Sequence, residues 1–198
     1  MEISSSITSM ERNEKHQSGL SREKWLEIAI EVLNTKIKSK FSLDSLIKSM
    51  PVTKGSFYWH FKDRADFLFA LVEYWSRHYT KIAIKALEAM PRDVSASQKL
   101  WELMCVIYEL DLTTPEIMIR SLVQEFPELE QAVATVYQSR YNTVRQIFSE
   151  LGFEGDDLEM RTLLFANSAS QDQLMFLKFS DEDYERQLKL RHDFFVRP

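Results

Sequence analysis

A chain of 198 residues with a single cysteine, Cys105, can build neither an intrachain disulfide framework nor a multi-cysteine metal site. Thiol poverty suits a reducing cytoplasm, which is the compartment expected here. Four glycines and five prolines are too few for long Gly/Pro-rich loops, so helices joined by short turns are expected. No apolar run approaches the length of about 18 residues that a membrane span requires. The first 19 residues, MEISSSITSMERNEKHQSG, are polar and Ser-rich and lack the apolar stretch of a signal peptide. A disordered lead is expected over residues 1–20.

Catalytic patterns are equally scarce. His16, His60, His78 and His192 are scattered, with no His-x-x-x-His pair and no Glu-x-x-His motif. The chain has no phosphate-cradling Gly-rich loop and no Gly-x-Ser-x-Gly elbow. Cys105 has no sequence neighbour to activate it and reads as a small core residue. His78 reads as a surface or packing residue. No enzyme, cofactor or metal site is expected, and a helical-bundle enzyme is the weakest of the functional readings.

The 44% hydrophobic and 28% charged content is ordinary for a globular protein. Its net charge of −5 hides an asymmetry: residues 1–64 carry +3 and residues 65–198 carry −8. Residues 36–64 alone hold 7 basic and 2 acidic side chains. A patch of that kind can track phosphates, or it can be a solvated face.

Caps and prolines divide the chain into about nine helices, with no alternating β pattern and no internal repeat. Ser21 caps a first helix in which Trp25, Ile28, Ala29, Val32, Leu33 and Ile37 recur at helical spacing. Ser42 caps a short helix ending near Met50, because Pro51 pushes its predecessor out of helical space. Thr53 caps the next, and Asp63 caps a long helix over 64–89 that spans ~39 Å at 1.5 Å per residue. Further helices are expected near 95–111, 115–125, 127–151, 156–179 and 181–195. Pro115 after Thr114, and the acidic run Asp181, Glu182, Asp183 after Ser180, mark two of their starts.

The informative stretch is SLDSLIKSMPVTKGSFYWHF, residues 42–61. It reads as two short amphipathic helices that must pack Leu43, Leu46, Ile47, Val52, Phe57 and Phe61 onto helix one. At about 100° per residue Phe57 and Phe61 share a face, while Gly55 and Trp59 fall opposite, flanked by Tyr58 and Ser56. Such an outward face suits a DNA-recognition helix. Its N-terminus favours phosphate, Gly55 permits close approach, Lys54 adds charge, and Thr53, Ser56, Tyr58 and His60 can donate hydrogen bonds. The competing reading is a buried aromatic turn with Tyr58 and Trp59 in the core.

The run VTKGSFYWHFKDRADFL, preceded by WLEIAIEVL as a first helix, resembles the signature of the TetR family of transcription regulators. At motif level the resemblance covers residues 21–75, and the nine-helix layout matches the family's length. It implies an all-α protein with a three-helix helix-turn-helix domain over residues 21–64 and an effector-binding and dimerisation domain over 65–198. It further implies that Ser42, Thr53, Lys54, Gly55, Ser56, Tyr58, Trp59, His60, Lys62 and Arg64 face double-stranded DNA. Phe57 and Phe61 match the family's core positions. Three residues depart from the pattern. Pro51 stands where relatives carry Gly in the turn, and its φ near −65° demands a different turn. Ile37 replaces a usual Gly, which lets helix one run longer. Asp44 puts a carboxylate near phosphate, where it either faces a cytosine amine or points away.

The same resemblance implies a small-molecule effector, a homodimer and release of a repressor from a palindromic operator. Candidate effector-binding residues are Trp75, Tyr79, Trp101, Met104, Tyr108, Met118, Tyr137 and Phe165, with plain core as the alternative for each. Residues 156–195 are the dimer candidate. Ala166, Asn167, Ser168, Ala169 and Ser170 allow close approach, and Leu163, Leu174, Phe176, Tyr184, Leu188 and Phe195 supply apolar area. A reading from another class is a helical ligand-binding or scaffold protein of this fold that has lost sequence-specific DNA binding, for which Pro51 and Asp44 speak.

Overall fold

In the computed structural model the described residues are 20–35, 41–112, 114–168 and 180–198, and among them there is no strand. Helix α1, Arg22–Thr35, starts where Ser21 Oγ accepts the backbone N–H of Lys24 at 3.1 Å. It buries Trp25, Leu26, Ala29, Ile30 and Leu33, one stripe of the helix. Helices α2, Leu43–Lys48, and α3, Lys54–His60, follow, each short and each capped by the expected hydroxyl. Next comes a rod: α4, Arg64–Ser76, a π-helical turn, Arg77–Lys81, and α5, Ile82–Glu88.

The remaining helices are α6, Ala96–Glu109, α7, Thr114–Glu125, α8, Glu130–Glu150, α9, Gly155–Ser168, and α10, Asp181–Val196. A 3-10 turn, Pro127–Leu129, leads into α8. With the rod taken as one, nine helices stand among the described residues. The all-α expectation holds.

Differences from the expected boundaries have local causes. The α2 helix stops at Lys48, and the N–H groups of Ser49 and Met50 close back on Leu46 and Ile47, turning the chain before Pro51. Met50 is buried in that turn while Pro51 is exposed. The rod is not a uniform α-helix, since its π turn inserts an extra residue into the hydrogen-bond ladder. The lead over residues 1–19, the reach of α1 to Ile37, and the stretch 169–179 of the helix expected over 156–179 lie outside the described residues.

Two apolar cores hold the helices. The first gathers Trp25, Leu46, Ile47, Phe57, Phe61, Phe67 and Trp75 from α1–α4 with Met118, Ile119, Leu122, Phe126, Leu129, Val133 and Val136. It therefore runs past residue 64 into α7 and the first turns of α8. Within it Phe57, Phe61 and Phe67 stand edge-on to Trp25 at 5.7–6.1 Å between ring centres. The second joins Leu100, Leu103, Met104, Val144, Phe148, Phe165, Leu188 and Phe195 from α6, α8, α9 and α10. Gly152 ends α8 at φ 93°, where the N–H of Phe153 returns to the carbonyl of Phe148 at 3.2 Å. A side chain would be strained at that φ.

Candidate DNA-binding surface and effector cavity

The α2–α3 pair is built from two caps and one buried face. Ser42 Oγ accepts the N–H of Ser45 at 3.3 Å, and Thr53 Oγ1 accepts that of Ser56 at 3.1 Å. Phe57 and Phe61 are fully buried, anchoring α3 to α1 and α4. The opposite side of α3 is open: Trp59 is 84% and Tyr58 57% exposed. The buried-aromatic alternative is thereby excluded. Lys54, Gly55 and Thr53 are exposed beside them, and His60 is half-buried. A Cβ added at Gly55 would meet only Thr53 Oγ1, at 3.8 Å, so nothing inside the protein demands glycine there.

Not every candidate points the same way. The Ser56 hydroxyl accepts the indole N–H of Trp25 at 3.2 Å, which ties it to the core side of α3. Arg64 lays its guanidinium over the Phe126 ring at 4.7 Å. Lys62 is exposed, and its backbone N–H donates to Asp66 at 2.8 Å. Asp44 neither floats nor turns away from the surface: its carboxylate pairs with Lys54 Nζ at 3.2 Å, linking α2 to the start of α3.

A mainly apolar hollow of about 480 Å³ lies between the rod, α6, α7, α8 and α9. Of the sequence candidates, Tyr79, Tyr137 and Phe165 line it. Tyr79 and Thr80 reach it from the π turn. Trp75 sits fully buried behind the wall, with Tyr137 edge-on at 6.0 Å. Trp101 packs on His192 of α10, Tyr108 stacks on Tyr184 at 3.9 Å, and Met118 belongs to the first core. Met104 and Tyr108 border a separate, much smaller gap. The eight candidates thus do not share one cavity.

Sequence reasoning missed the polar wall of that hollow. Glu116, buried on α7, receives Arg120 Nη2 at 2.8 Å on one oxygen and Arg140 Nη1 at 2.8 Å on the other. Tyr137 donates to the first oxygen at 3.3 Å, and Arg120 Nε donates to the Tyr137 hydroxyl at 3.0 Å. Arg140 Nε donates to Thr80 Oγ1 at 2.8 Å. Burial, then the Glu116 carboxylate, pushes the Tyr137 phenol above its ordinary range, so it stays a protonated donor. The only available signal was the Glu116–Arg120 spacing of four residues. Arg140, on another helix, carried none.

On α9, Met160, Leu163 and Leu164 are exposed, and on α10 so are Leu190 and Phe194. Leu188 and Phe195, by contrast, fill the second core. Ala166 and Asn167 are exposed and line the cavity, whereas Ala169, Ser170, Leu174 and Phe176 lie outside the described residues.

No family model matches the chain. It is 34% identical over 79 residues to the HTH-type transcriptional regulator AcrR of Shigella flexneri, covering 40% of this chain and 35% of that protein. It is 30% identical over 69 residues to the transcriptional regulator AcuR of Cereibacter sphaeroides, covering 35% and 32%. Both relatives are TetR-family regulators. The matches span about a third of each relative's length. No described helix is long and apolar enough to cross a membrane.

Proposed function

We propose that the protein is a cytoplasmic, dimeric one-component transcription regulator that reads an inverted-repeat operator through α3. The observation that carries this reading is the division of α3 itself. One face is locked into the core by Phe57 and Phe61, and the other offers Trp59, Tyr58 and Lys54 to solvent. An indole that open to water on a short, rigid helix is expected of a contact surface. In this reading α3 enters the major groove, Thr53 and the first N–H groups of α3 meet phosphate, and Tyr58, Trp59 and His60 meet bases or sugars.

The exposed Met160, Leu163 and Leu164 of α9, with Leu190 and Phe194 of α10, support a two-fold interface. Half-site centres of the operator would then lie about 34–36 Å apart, or a multiple of it. The 480 Å³ hollow falls within the range of small-molecule sites, roughly 300–1,000 Å³. It supports the finer reading of a repressor released by an effector. The test is selection of bound fragments from genomic DNA, followed by titration of the selected duplex at several salt concentrations. Sequence-independent binding alone, or a footprint without two-fold symmetry, refutes the operator reading.

The alternative of a ligand-binding protein that no longer reads DNA draws on Lys54 and Arg64. One is neutralised by Asp44 and the other is drawn onto Phe126. It expects no salt-dependent DNA binding at all.

A further inference from the structure

Among the described residues, the three charged ones that line the hollow are Glu116, Arg120 and Arg140, which give its wall one net positive charge. Glu116 is already spoken for, with each oxygen held by a different arginine. Arg140 is not fully used: Nε and Nη1 have partners, while Nη2 is buried and has none among the described residues. Its guanidinium is clamped over the Trp75 ring at 4.7 Å, and the Trp75 indole N–H is likewise buried without an acceptor. Donors in this position are costly unless an acceptor reaches them. Beside the lining residue Tyr141, Arg145 and Glu159 pair with each other at 2.7 Å, and Tyr141 donates to the same Glu159. The rest of the lining is largely apolar, including Ala83, Ile84, Leu103, Ile107, Val144 and Phe165.

We infer that the hollow binds a small monocarboxylate with an apolar body, its carboxylate on Arg140 and its body among the side chains of α5, α6, α8 and α9. One negative charge matches the one unbalanced positive charge. A guanidinium edge suits a planar carboxylate better than it suits a hydroxyl. A cationic ligand would meet a wall of the wrong sign, despite the −8 carried by residues 65–198. The inference rests on the regulator reading only for its consequence, that the acid alters operator affinity. The ligand chemistry is read from the hollow itself.

The test is calorimetric titration of the full chain with decanoate and naphthalene-2-carboxylate, against 1-decanol, naphthalene-2-methanol and decyltrimethylammonium. The two carboxylates distinguish an aliphatic from an aromatic body. A charge-assisted hydrogen bond predicts that at least one carboxylate binds roughly tenfold or more tightly than its alcohol. Arg140→Met removes the unbalanced positive charge and leaves Glu116 paired with Arg120. That variant should still take the alcohol and lose the preference for the acid. Glu116→Gln alone should tighten carboxylate binding, an outcome that a merely structural role for the cluster would not produce. Alcohols binding as well as acids, tighter binding of the ammonium probe, or no binding of any probe overturns the inference. Acid binding with unchanged operator affinity upholds the ligand class and refutes effector release instead.

Discussion

Phe57 and Trp59 are two residues apart on one short helix, and the structure predicts opposite consequences for truncating them. Phe57 is fully buried, with ring centres of Trp25, Phe61 and Phe67 at 5.7, 5.3 and 5.6 Å. Phe57→Ala leaves a cavity where those rings met, and such changes cost about 3–5 kcal/mol. A helix of seven residues cannot hold itself together without that anchor. Trp59 is 84% exposed, so Trp59→Ala should move stability by no more than about 0.5 kcal/mol. Its loss should appear in DNA binding instead, at about 1–3 kcal/mol, or roughly 5- to 150-fold in Kd. Urea unfolding gives the first quantity, and fluorescence anisotropy on a selected operator at fixed salt gives the second. A Trp59→Ala protein that binds the operator unchanged, or that loses more than about 2 kcal/mol of stability, refutes the assignment of the outward face.

Removing Asp44 should release Lys54 for phosphate, so Asp44→Ala should bind operator more tightly at low salt, while Lys54→Ala should weaken binding and lower the salt slope by about one. Glu125 accepts the backbone N–H of Phe41 at 2.9 Å, so Glu125→Ala should cost about 1–3 kcal/mol in urea unfolding by stranding that donor. Gly152→Ala, at φ 93°, should lower stability by about 1 kcal/mol, whereas Gly55→Ala should be neutral or stabilising in unfolding and harmful only to DNA binding. The hydrogen bond from Lys99, at 2.6 Å, holds the Glu150 carboxyl below its ordinary value of 4.5. The folded state therefore gains stability above that pH and loses it as pH falls through the depressed value, so Glu150→Gln should flatten the acid limb of a Tm-against-pH curve.

What could be read from the sequence was what depends on near neighbours. Ser42, Thr53 and Asp63 cap their helices because an N-cap needs only an oxygen two or three residues before the N–H it receives. That Phe57 and Phe61 lie opposite Trp59 follows from helical periodicity, and the packing of the structure decides which face is buried. Contacts between distant residues were not legible. Ser56 meets Trp25 across 31 positions, and Arg64 crosses to Phe126, so side chains assigned by family position to one surface are also engaged elsewhere. The same limit hid the polar wall of the hollow, because Thr80, Glu116 and Arg140 come from three elements. The π turn left no sequence mark either, although it carries Tyr79 and Thr80 to that wall.

The continuity of the first core changes how a signal from the hollow would have to travel. An unbroken helix over 64–89 would make a stiff lever, yet the rod turns π-helical over Arg77–Lys81, where Tyr79 and Thr80 line the hollow. An irregular turn can absorb displacement as readily as pass it on. The α7 helix offers a shorter route. It carries Glu116 at the hollow and Glu125 at its other end, nine residues or ~14 Å of helix away, where the carboxylate holds Phe41 just before α2. Met118, Ile119 and Leu122 on the same helix are packed into the core that holds Trp25 and Phe57. Close packing does not yield to small shifts by compressing, so a displaced α7 must carry α1 and the α2–α3 pair with it or break that core. A ligand that draws on the Glu116–Arg140 cluster would therefore act on the α2–α3 pair through a wall they share with it, and that pair is better regarded as one side of the first core than as a separate head.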